Sequence, residues 1–438
     1  MFEHSKGSGD YLKQIRNNVE EKTGIIEAAL GAGTLPRSQD GKLRIAELGT
    51  GGGESLRALK AELGDVADAE LIAVDIVPDL AASLKKELDV SAVGAEANHL
   101  PFANGSLSAV NASAVIHEVS SYGSKNEAGE MRYGTEAVKE AFSEFYRVLM
   151  PEGIVAYRDV LAPVENIHEM KTAAYGRRSW AMFADWFLKD FLKTEPKLYD
   201  GADITEEKKD GNLVLGAPAG VQRELQRHYL MLRDYLRTVK AGEFGITIAR
   251  SDWIDKDAGL KTMTFLADDR VASAIDLSSF EMHESAEGKV YRADSDRFDE
   301  IYDKMMEFYW QQLKDGADGG PEFGKIIDAW KAREGAEHYL YGNIGDMLQI
   351  AVRAGIDAGD PQVLLPEFPE DITVAPRNYY DRYLGQAVDK PEVDGKQMIS
   401  FKKMPRERAI AALTRLAASD QNVVDPSILK ELRSELEA

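Results

Sequence analysis

Residues 43–56 read LRIAELGTGGGESL. An apolar run is followed by one acidic residue, then a glycine turn, then the opening of a helix. A strand that ends in glycines and feeds a helix N-terminus builds a site for a polar ligand. The glycines let the backbone approach, and the helix end offers free N–H groups.

Taken alone, such a turn suggests a dinucleotide site, whose pattern is G-x-G-x-x-G. Here the sixth position counted from Gly49 is Glu54, and a later start does not improve the match. Glu47 stands two residues before the first glycine. A carboxylate there suits a cationic group such as an amine and is unhelpful beside a pyrophosphate. A second acidic residue, Asp75, closes the next apolar run, ELIAVDI (70–76). A carboxylate in that place accepts both ribose hydroxyls of a nucleoside. Together, Glu47 and Asp75 suggest a nucleoside joined to an amino acid.

Working outward, strand and helix patterns alternate. LRIAELG (43–49), ELIAVDI (70–76), VSAVGAEA (90–97), a segment within LSAVNASAVIHEV (107–119) and GIVAYRDVL (153–161) read as five strands. GESLRALKAELG (53–64), PDLAASLKKEL (78–88) and GTEAVKEAFSEFYRVLM (134–150) read as the helices between them. This order predicts a parallel sheet covered on both faces. Upstream, residues 10–31 have the spacing of an amphipathic helix, with Asp10 as N-cap.

The alternation stops near residue 162. Residues 163–335 read mainly as long, aromatic-rich helices, with one hairpin at 280–294. Trp180, Trp186, Phe187, Tyr229, Tyr235, Phe308, Tyr309 and Trp310 recur at helical spacing, the mark of a core. The α/β pattern then resumes, with a helix at 344–356, two strands at 362–368 and 397–404, and a helical tail. The expected organisation is an N-terminal helical segment (1–39), an α/β core in two parts (40–162 and 336–405), a mainly helical cap between them (163–335) and a helical tail (406–438). The cap is too long for a plain loop.

The chain has 438 residues and a formal net charge of −22, with 44% hydrophobic and 29% charged residues. That charge repels phosphate backbones and anionic lipid surfaces, so neither nucleic acid nor membrane is expected as a partner. No cysteine is present, which excludes disulfides and thiolate chemistry. The first residues carry no signal-peptide pattern and no apolar run is long enough to span a bilayer, so a cytoplasmic location is expected. The 7 histidines show no metal-ligand spacing, and no metal is expected.

In order and spacing, the segment 43–160 resembles the class I S-adenosylmethionine-dependent methyltransferases. ELGTGGG (47–53) is similar to that family's E/D-x-G-x-G-x-G motif, and VDI (74–76) to its acidic ribose-binding strand end. GAEANHLPFANGSLSAV (94–110) resembles its acidic-Ala-x-x-Leu-Pro-Phe region, and FYRVLMPEGIVAY (145–157) its R-V-L-K-P-G-G segment. AVRAGI (351–356) and QMISFKKM (397–404) are similar to its final helix and closing strand. Two positions depart from the pattern. Ser108 stands where the family often has Asp, and Glu152 replaces the first glycine of the P-G-G turn.

The resemblance implies a Rossmann-like α/β sheet with the mainly helical cap inserted after strand five. The implied cofactor is S-adenosylmethionine, with S-adenosylhomocysteine as product. By position, Glu47, Gly49, Thr50, Gly51 and Gly53 would surround the methionine moiety. Asp75 would hold the ribose and Ile76 flank the adenine. Glu96 and Ala97 would meet the adenine edge, and Ala114 would line the cofactor at the end of strand four.

In open α/β sheets, ligands bind at the carboxyl ends of the strands. His117 after strand four, and Arg158 and Asp159 at the end of strand five, are therefore the candidates for chemistry. His117 titrates in the range of a general base, and Arg158 with Asp159 reads equally as an ion pair. Tyr122 and Tyr133 in the loop 120–134, with His338 and Tyr341, are further candidates to face the acceptor. The expected activity is methyl transfer to oxygen or nitrogen of a small molecule such as a secondary metabolite. The alternative is a methyltransferase-like protein that binds the cofactor without transferring a methyl group. A nicotinamide oxidoreductase is the weaker rival. The cap would define the acceptor pocket or bury a homodimer interface.

Overall fold

The computed structural model describes residues 19–64, 68–125, 129–161, 168–191, 203–317, 320–338, 342–375, 378–391, 395–419 and 424–438. Asp10, Tyr341 and the first half of the amphipathic segment 10–31 lie outside the described residues. The helix there is described from Val19 to Gly31 (α1).

The central sheet is built from β1 (Leu43–Leu48), β2 (Ala69–Asp75), β3 (Ser91–Gly94), β4 (Leu107–Ser113) and β5 (Leu149–Leu161). Between them run α2 (Glu54–Leu63), α3 (Pro78–Leu88), α4 (Ile116–Tyr122) and α5 (Thr135–Val148). β3, β2, β1, β4 and β5 are neighbours in that order, all parallel. Strand β4 is buried at every position and β1 at all but one, as a parallel strand covered on both faces requires. Leu48, Val110, Val155 and Phe145 contribute to the core on one face, and Ile45, Leu56, Leu59 and Ala109 to the core on the other.

Both departures from the family pattern have local explanations. Ser108 is fully buried, and its Oγ accepts the backbone N–H of Arg44 at 3.0 Å, tying β4 to β1. Glu152 adopts φ 68°, the left-handed conformation a glycine would take there, and its carboxylate pairs with Arg408 at 2.8 Å. The salt bridge helps offset a backbone cost of about 1–2 kcal/mol.

After β5 the chain leaves the sheet. Its insertion holds more strand than the sequence reading of a mainly helical segment allowed. A three-stranded antiparallel sheet is formed by β6 (Met170–Tyr175), β7 (Thr205–Lys209) and β8 (Asn212–Pro218). A four-stranded one is formed by β9 (Ile246–Asp255), β10 (Leu260–Ala267), β11 (Glu281–Ser285) and β12 (Gly288–Asp294). Only the β11–β12 hairpin was visible in the sequence. β7 is exposed along its whole length and β9 along nearly all of its own, so they lack the apolar alternation that marks a half-buried strand.

The long helices of the insertion are α6 (Arg178–Trp186), α7 (Ala219–Thr238), α8 (Ser295–Asp315) and α9 (Gly320–Trp330). Its core is aromatic: Trp180 stacks on Tyr229 with ring centroids 3.8 Å apart, and Trp310 meets Phe323 edge-on.

The sheet then closes through α10 (Ile344–Asp357), β13 (Gln362–Leu365), β14 (Ile372–Ala375), α11 (Asn378–Ala387) and β15 (Gly395–Pro405). β15 runs antiparallel between β5 and β13, and β14 pairs with it as well, making an eight-stranded sheet. Asn343 and Asp346 form a reciprocal capping box at the start of α10. Helix α11 lies between two strands of the closing unit but packs with the insertion, where Tyr383, Leu384 and Ala387 join its aromatic core. Tail helices α12 (Arg406–Ala417) and α13 (Pro426–Glu437) bury Leu413, Leu416, Leu432 and Leu436 against the sheet core.

Candidate functional site

The carboxyl ends of β1, β2, β4 and β5 open into one cavity of about 800 Å³. Its walls include Glu47, Gly49, Thr50, Gly51, Asp75, Ile76, Glu96, Ala97, Ala114, His117, Arg158 and Asp159. The residues singled out in the sequence, at the ends of β1, β2, β3, β4 and β5, are thus brought to one place. Gly53 stands one step behind, as the left-handed residue (φ 80°) that opens α2.

Glycine is required at two points of the turn. Gly49 has φ 62°, and a Cβ there would come within 2.5 Å of the Val115 Cγ2 methyl. At Gly53 a Cβ would collide with the Leu84 side chain. Asp75 is buried at the end of β2. One oxygen accepts the backbone N–H of Val77 at 2.9 Å and the other the hydroxyl of Thr50 at 3.2 Å, which fixes the carboxylate at the rim of the turn. Ile76 is 55% exposed and Glu96 is exposed, so both present open faces to the cavity. Ala114 adopts φ 58°, strain that its N–H bond to the Arg158 carbonyl at 2.7 Å helps hold.

The cavity volume falls in the range of small-molecule and cofactor sites. Buried polar atoms on its wall include Asn98 Nδ2 and Ser113 Oγ, which have no hydrogen bond among the described residues. A polar nucleoside-sized ligand is what such a wall accommodates, since an unmet buried donor costs about 1–3 kcal/mol.

Residues 46–157, the part of the chain that holds most of these side chains, match the family model of the methyltransferase domain. This segment is a class I S-adenosylmethionine-dependent methyltransferase domain. Its cofactor is S-adenosylmethionine.

Among solved structures, the chain is similar to a SAM-dependent methyltransferase from Aquifex aeolicus, at 16% identity over 47% of this chain and 95% of that one, with a TM-score of 0.25. It is also similar to the CMeT domain of the citrinin polyketide synthase, at 16% identity over 49% of this chain and 57% of that one, TM-score 0.27. A third is the trans-methyltransferase CalH in complex with SAH, at 21% identity over 28% of this chain and 33% of that one, TM-score 0.22. A comparison with curated proteins returned no match. No helix among the described residues is long and apolar enough to cross a membrane.

The electrostatics of the methyltransferase domain divide the cavity in two. At one end, burial pushes the Glu47 carboxyl up to about 7, against the opposing pull of the Asn111 amide, the Lys22 ammonium and the Ser55 hydroxyl. Asn111 Nδ2 donates to Glu47 at 2.6 Å and to the Lys22 carbonyl at 3.1 Å. Lys22 is itself pushed down to about 8 by burial and by Arg158, with Glu47 and Glu54 opposing.

At the other end, His117 Nδ1 lies 2.8 and 3.0 Å from the two oxygens of Asp159, and the His117 backbone N–H donates to the same carboxylate at 3.0 Å. Glu337 approaches Nε2 at 3.5 Å. Burial pulls the His117 pKa down, but Asp159 and Glu337 outweigh it and lift it to about 10.

Arg158 does not pair with Asp159. Neighbours on a strand project to opposite sides; Arg158 reaches Glu21 of α1 at 2.9 Å, while Asp159 holds His117. Tyr122 lines the cavity, with its hydroxyl donating to the Arg333 carbonyl at 3.3 Å. Tyr133 is partly exposed and is not on the cavity wall. His338 is buried, its backbone bonded to the Ser121 hydroxyl, and is likewise off the wall.

Several wall residues had no signal in the sequence. Lys22 comes from α1, Arg227 and Met231 from one face of α7, and Glu334 and Glu337 from the segment returning from the insertion. Their i, i+4 spacing identifies Arg227 and Met231 as one helical face, but nothing local says which face meets the sheet.

The methionine end of the cofactor carries an ammonium. With Glu47 titrating near 7 in the free protein, an ammonium beside it favours the ionised carboxylate and displaces its proton. S-adenosylhomocysteine affinity is therefore expected to fall by up to about tenfold per pH unit below 7, and to level off above it. Calorimetry in buffers of different ionisation heat reads the released proton directly. Glu47→Gln should flatten the profile; an equally steep profile in that variant would place the ammonium elsewhere.

Proposed function

We propose that this chain transfers the methyl group of S-adenosylmethionine to oxygen or nitrogen of a small-molecule acceptor bound between the methyltransferase domain and the insertion. The observation that carries this reading is the shared wall. The cavity that begins at the glycine turn continues past His117 to Arg227, Met231 and Glu337, which the insertion and its return segment supply.

Glu47, Gly49, Thr50, Gly51 and Gly53 surround the amino-acid end of the cofactor. Asp75 accepts the ribose hydroxyls, Ile76 covers the adenine, and Glu96, Ala97 and Ala114 complete the adenine side. When bound, S-adenosylmethionine supplies a methyl group on a sulfonium, open to in-line displacement. The protein's task is then to orient the acceptor and exclude water, and both fall to the insertion.

The His117–Asp159 pair orients the acceptor at the end of strand β4, with the ring fixed by Asp159 through Nδ1. Arg158, held by Glu21, positions the end of strand β5 under the acceptor. The insertion thereby serves as roof to the acceptor. The cavity volume supports a small acceptor, or one side chain or chain end of a larger one.

The test is labelled-methyl transfer from S-adenosylmethionine to a panel of phenols, carboxylic acids and amines, read by mass. A methylated product that disappears in His117→Ala, with S-adenosylhomocysteine binding retained, supports the reading. Tight cofactor binding with no product from any acceptor class would favour a cofactor-binding protein that performs no methyl transfer.

A further inference from the structure

One part of the acceptor end has a composition that neither methyl transfer nor an ion pair requires. Side-chain donor atoms of His117, Glu118 and Glu337 all lie within 4.8 Å of one another. They come from separate parts of the chain: His117 and Glu118 from the first turn of α4, and Glu337 from the segment that returns from the insertion. An imidazolium pairs with at most one carboxylate at each ring nitrogen; Asp159 takes Nδ1 and Glu337 faces Nε2, which leaves Glu118 as a third carboxylate beside one ring. Glu337 is only 1% exposed.

The ring is also oriented as a metal-binding histidine is. Its Nδ1 faces both oxygens of Asp159 at 2.8 and 3.0 Å, which leaves Nε2 toward Glu337. A carboxylate behind the imidazole fixes the tautomer that carries a lone pair on the other nitrogen. A separate feature of the same cavity points to a polar ligand: Ser113 Oγ, on a residue 9% exposed at the end of β4, has no hydrogen-bond partner among the described residues.

We propose that His117 Nε2, Glu118 and Glu337 bind a divalent first-row cation of the Mn2+ type, with its open positions facing the acceptor end of the cavity. One imidazole nitrogen and two carboxylate oxygens suit Mn2+, Fe2+ or Zn2+ better than a cation that takes oxygen alone. Ligand atoms of one ion stand about 3–4 Å apart when bonds are about 2.1 Å. The open positions would take an oxygen of the acceptor, which restricts the acceptor class to oxygen-bearing chelators such as hydroxy acids or vicinal diols. The cation would also tie the return segment of the insertion to α4. This proposal rests on the methyltransferase reading for the acceptor, but not for the cation itself.

The experiment uses the full chain and Mn2+ alone, followed by electron paramagnetic resonance, with S-adenosylhomocysteine calorimetry on the same samples. The expected result is one tightly held Mn2+ per chain, at least about tenfold weaker in Glu337→Gln and in His117→Ala, and competed by Zn2+. S-adenosylhomocysteine binding in both variants shows that they are folded. No bound Mn2+ in the wild type, or equal binding in folded variants, overturns the cation site and leaves the methyltransferase reading intact. Absent S-adenosylhomocysteine binding in the wild type would instead sink that reading, while the cation site is judged on the Mn2+ signal.

Discussion

Asp75→Ala is expected to weaken S-adenosylhomocysteine binding by about a hundredfold to ten-thousandfold. The carboxylate is buried, held by the Val77 N–H and the Thr50 hydroxyl, and set on the wall of the cavity at the end of β2. Each ribose hydroxyl that donates to an ionised carboxylate is worth about 1.5–3 kcal/mol. Two such bonds lost together, at about 1.4 kcal/mol per factor of ten, give the stated range. The variant should still fold, because the residue caps a turn and does not fill the core. Calorimetry on wild type and variant measures the change, and a thermal melt checks the fold. A loss smaller than about fivefold would mean that the ribose is not held at β2, and the residue assignments around the glycine turn would fall with it.

The second large effect concerns stability. Asp303→Ala is expected to destabilise the insertion by about 3–5 kcal/mol. Asp303 lies 3% exposed on α8. It accepts from Arg177 at 2.7 Å, from Tyr229 and Tyr383 at 3.0 Å, and from Arg233. Arg233 is anchored a second time by Asp299 at 2.7 Å and lies over the Tyr383 ring at 4.1 Å. The guanidinium is buried, which would lower its pKa, yet Asp303 and its neighbours hold it well above the ordinary value.

Removing Asp303 leaves the buried Arg233 and the half-buried Arg177 each short of a carboxylate, and that uncompensated charge is the source of the cost. Asp303→Asn keeps the shape and should cost less. Urea unfolding followed by tryptophan fluorescence is suitable, because Trp180 stacks on Tyr229 beside the cluster. A shift below about 1 kcal/mol in Asp303→Ala would mean that water reaches the cluster and the charges are screened.

The two effects lie at opposite ends of what the sequence makes legible. The glycine turn, Glu47 and Asp75 stand close together along a strand–turn–helix unit, and their chemistry is local. Gly49 and Gly53 take backbone angles that side chains resist, so the residue type announces the conformation. The alternation of buried strands with amphipathic helices likewise announces a parallel sheet, because strands covered on both faces read as unbroken apolar runs.

The insertion is the opposite case. β7 is wholly exposed and β9 nearly so, and neither carries an alternating pattern, so much of its sheet content could not be read. Helix α7 buries Gln222, Arg223, Glu224, Gln226, Arg227 and His228, polar residues that a sequence reading places at the surface. Some have partners in distant segments and others on the same helix: Gln222 bonds the Tyr175 hydroxyl at 2.6 Å and the Leu215 carbonyl at 2.7 Å, while His228 meets the Glu224 carboxylate at 3.2 Å.

The sequence by itself determined the α/β core, its parallel strands in chain order up to β5 and the glycine turn with its strand-end carboxylates, because periodicity, glycine angles and strand-end residues are properties of short stretches. Only the tertiary structure decided that Asp159 faces His117 while Arg158 turns to Glu21, that α11 leaves the closing unit to pack into the insertion, and that Glu337 meets the ring of His117 across 220 residues of chain. Those pairings depend on which face of each element meets which neighbour. Contacts between segments so far apart leave no repeat or spacing along the chain, so packing alone selects them.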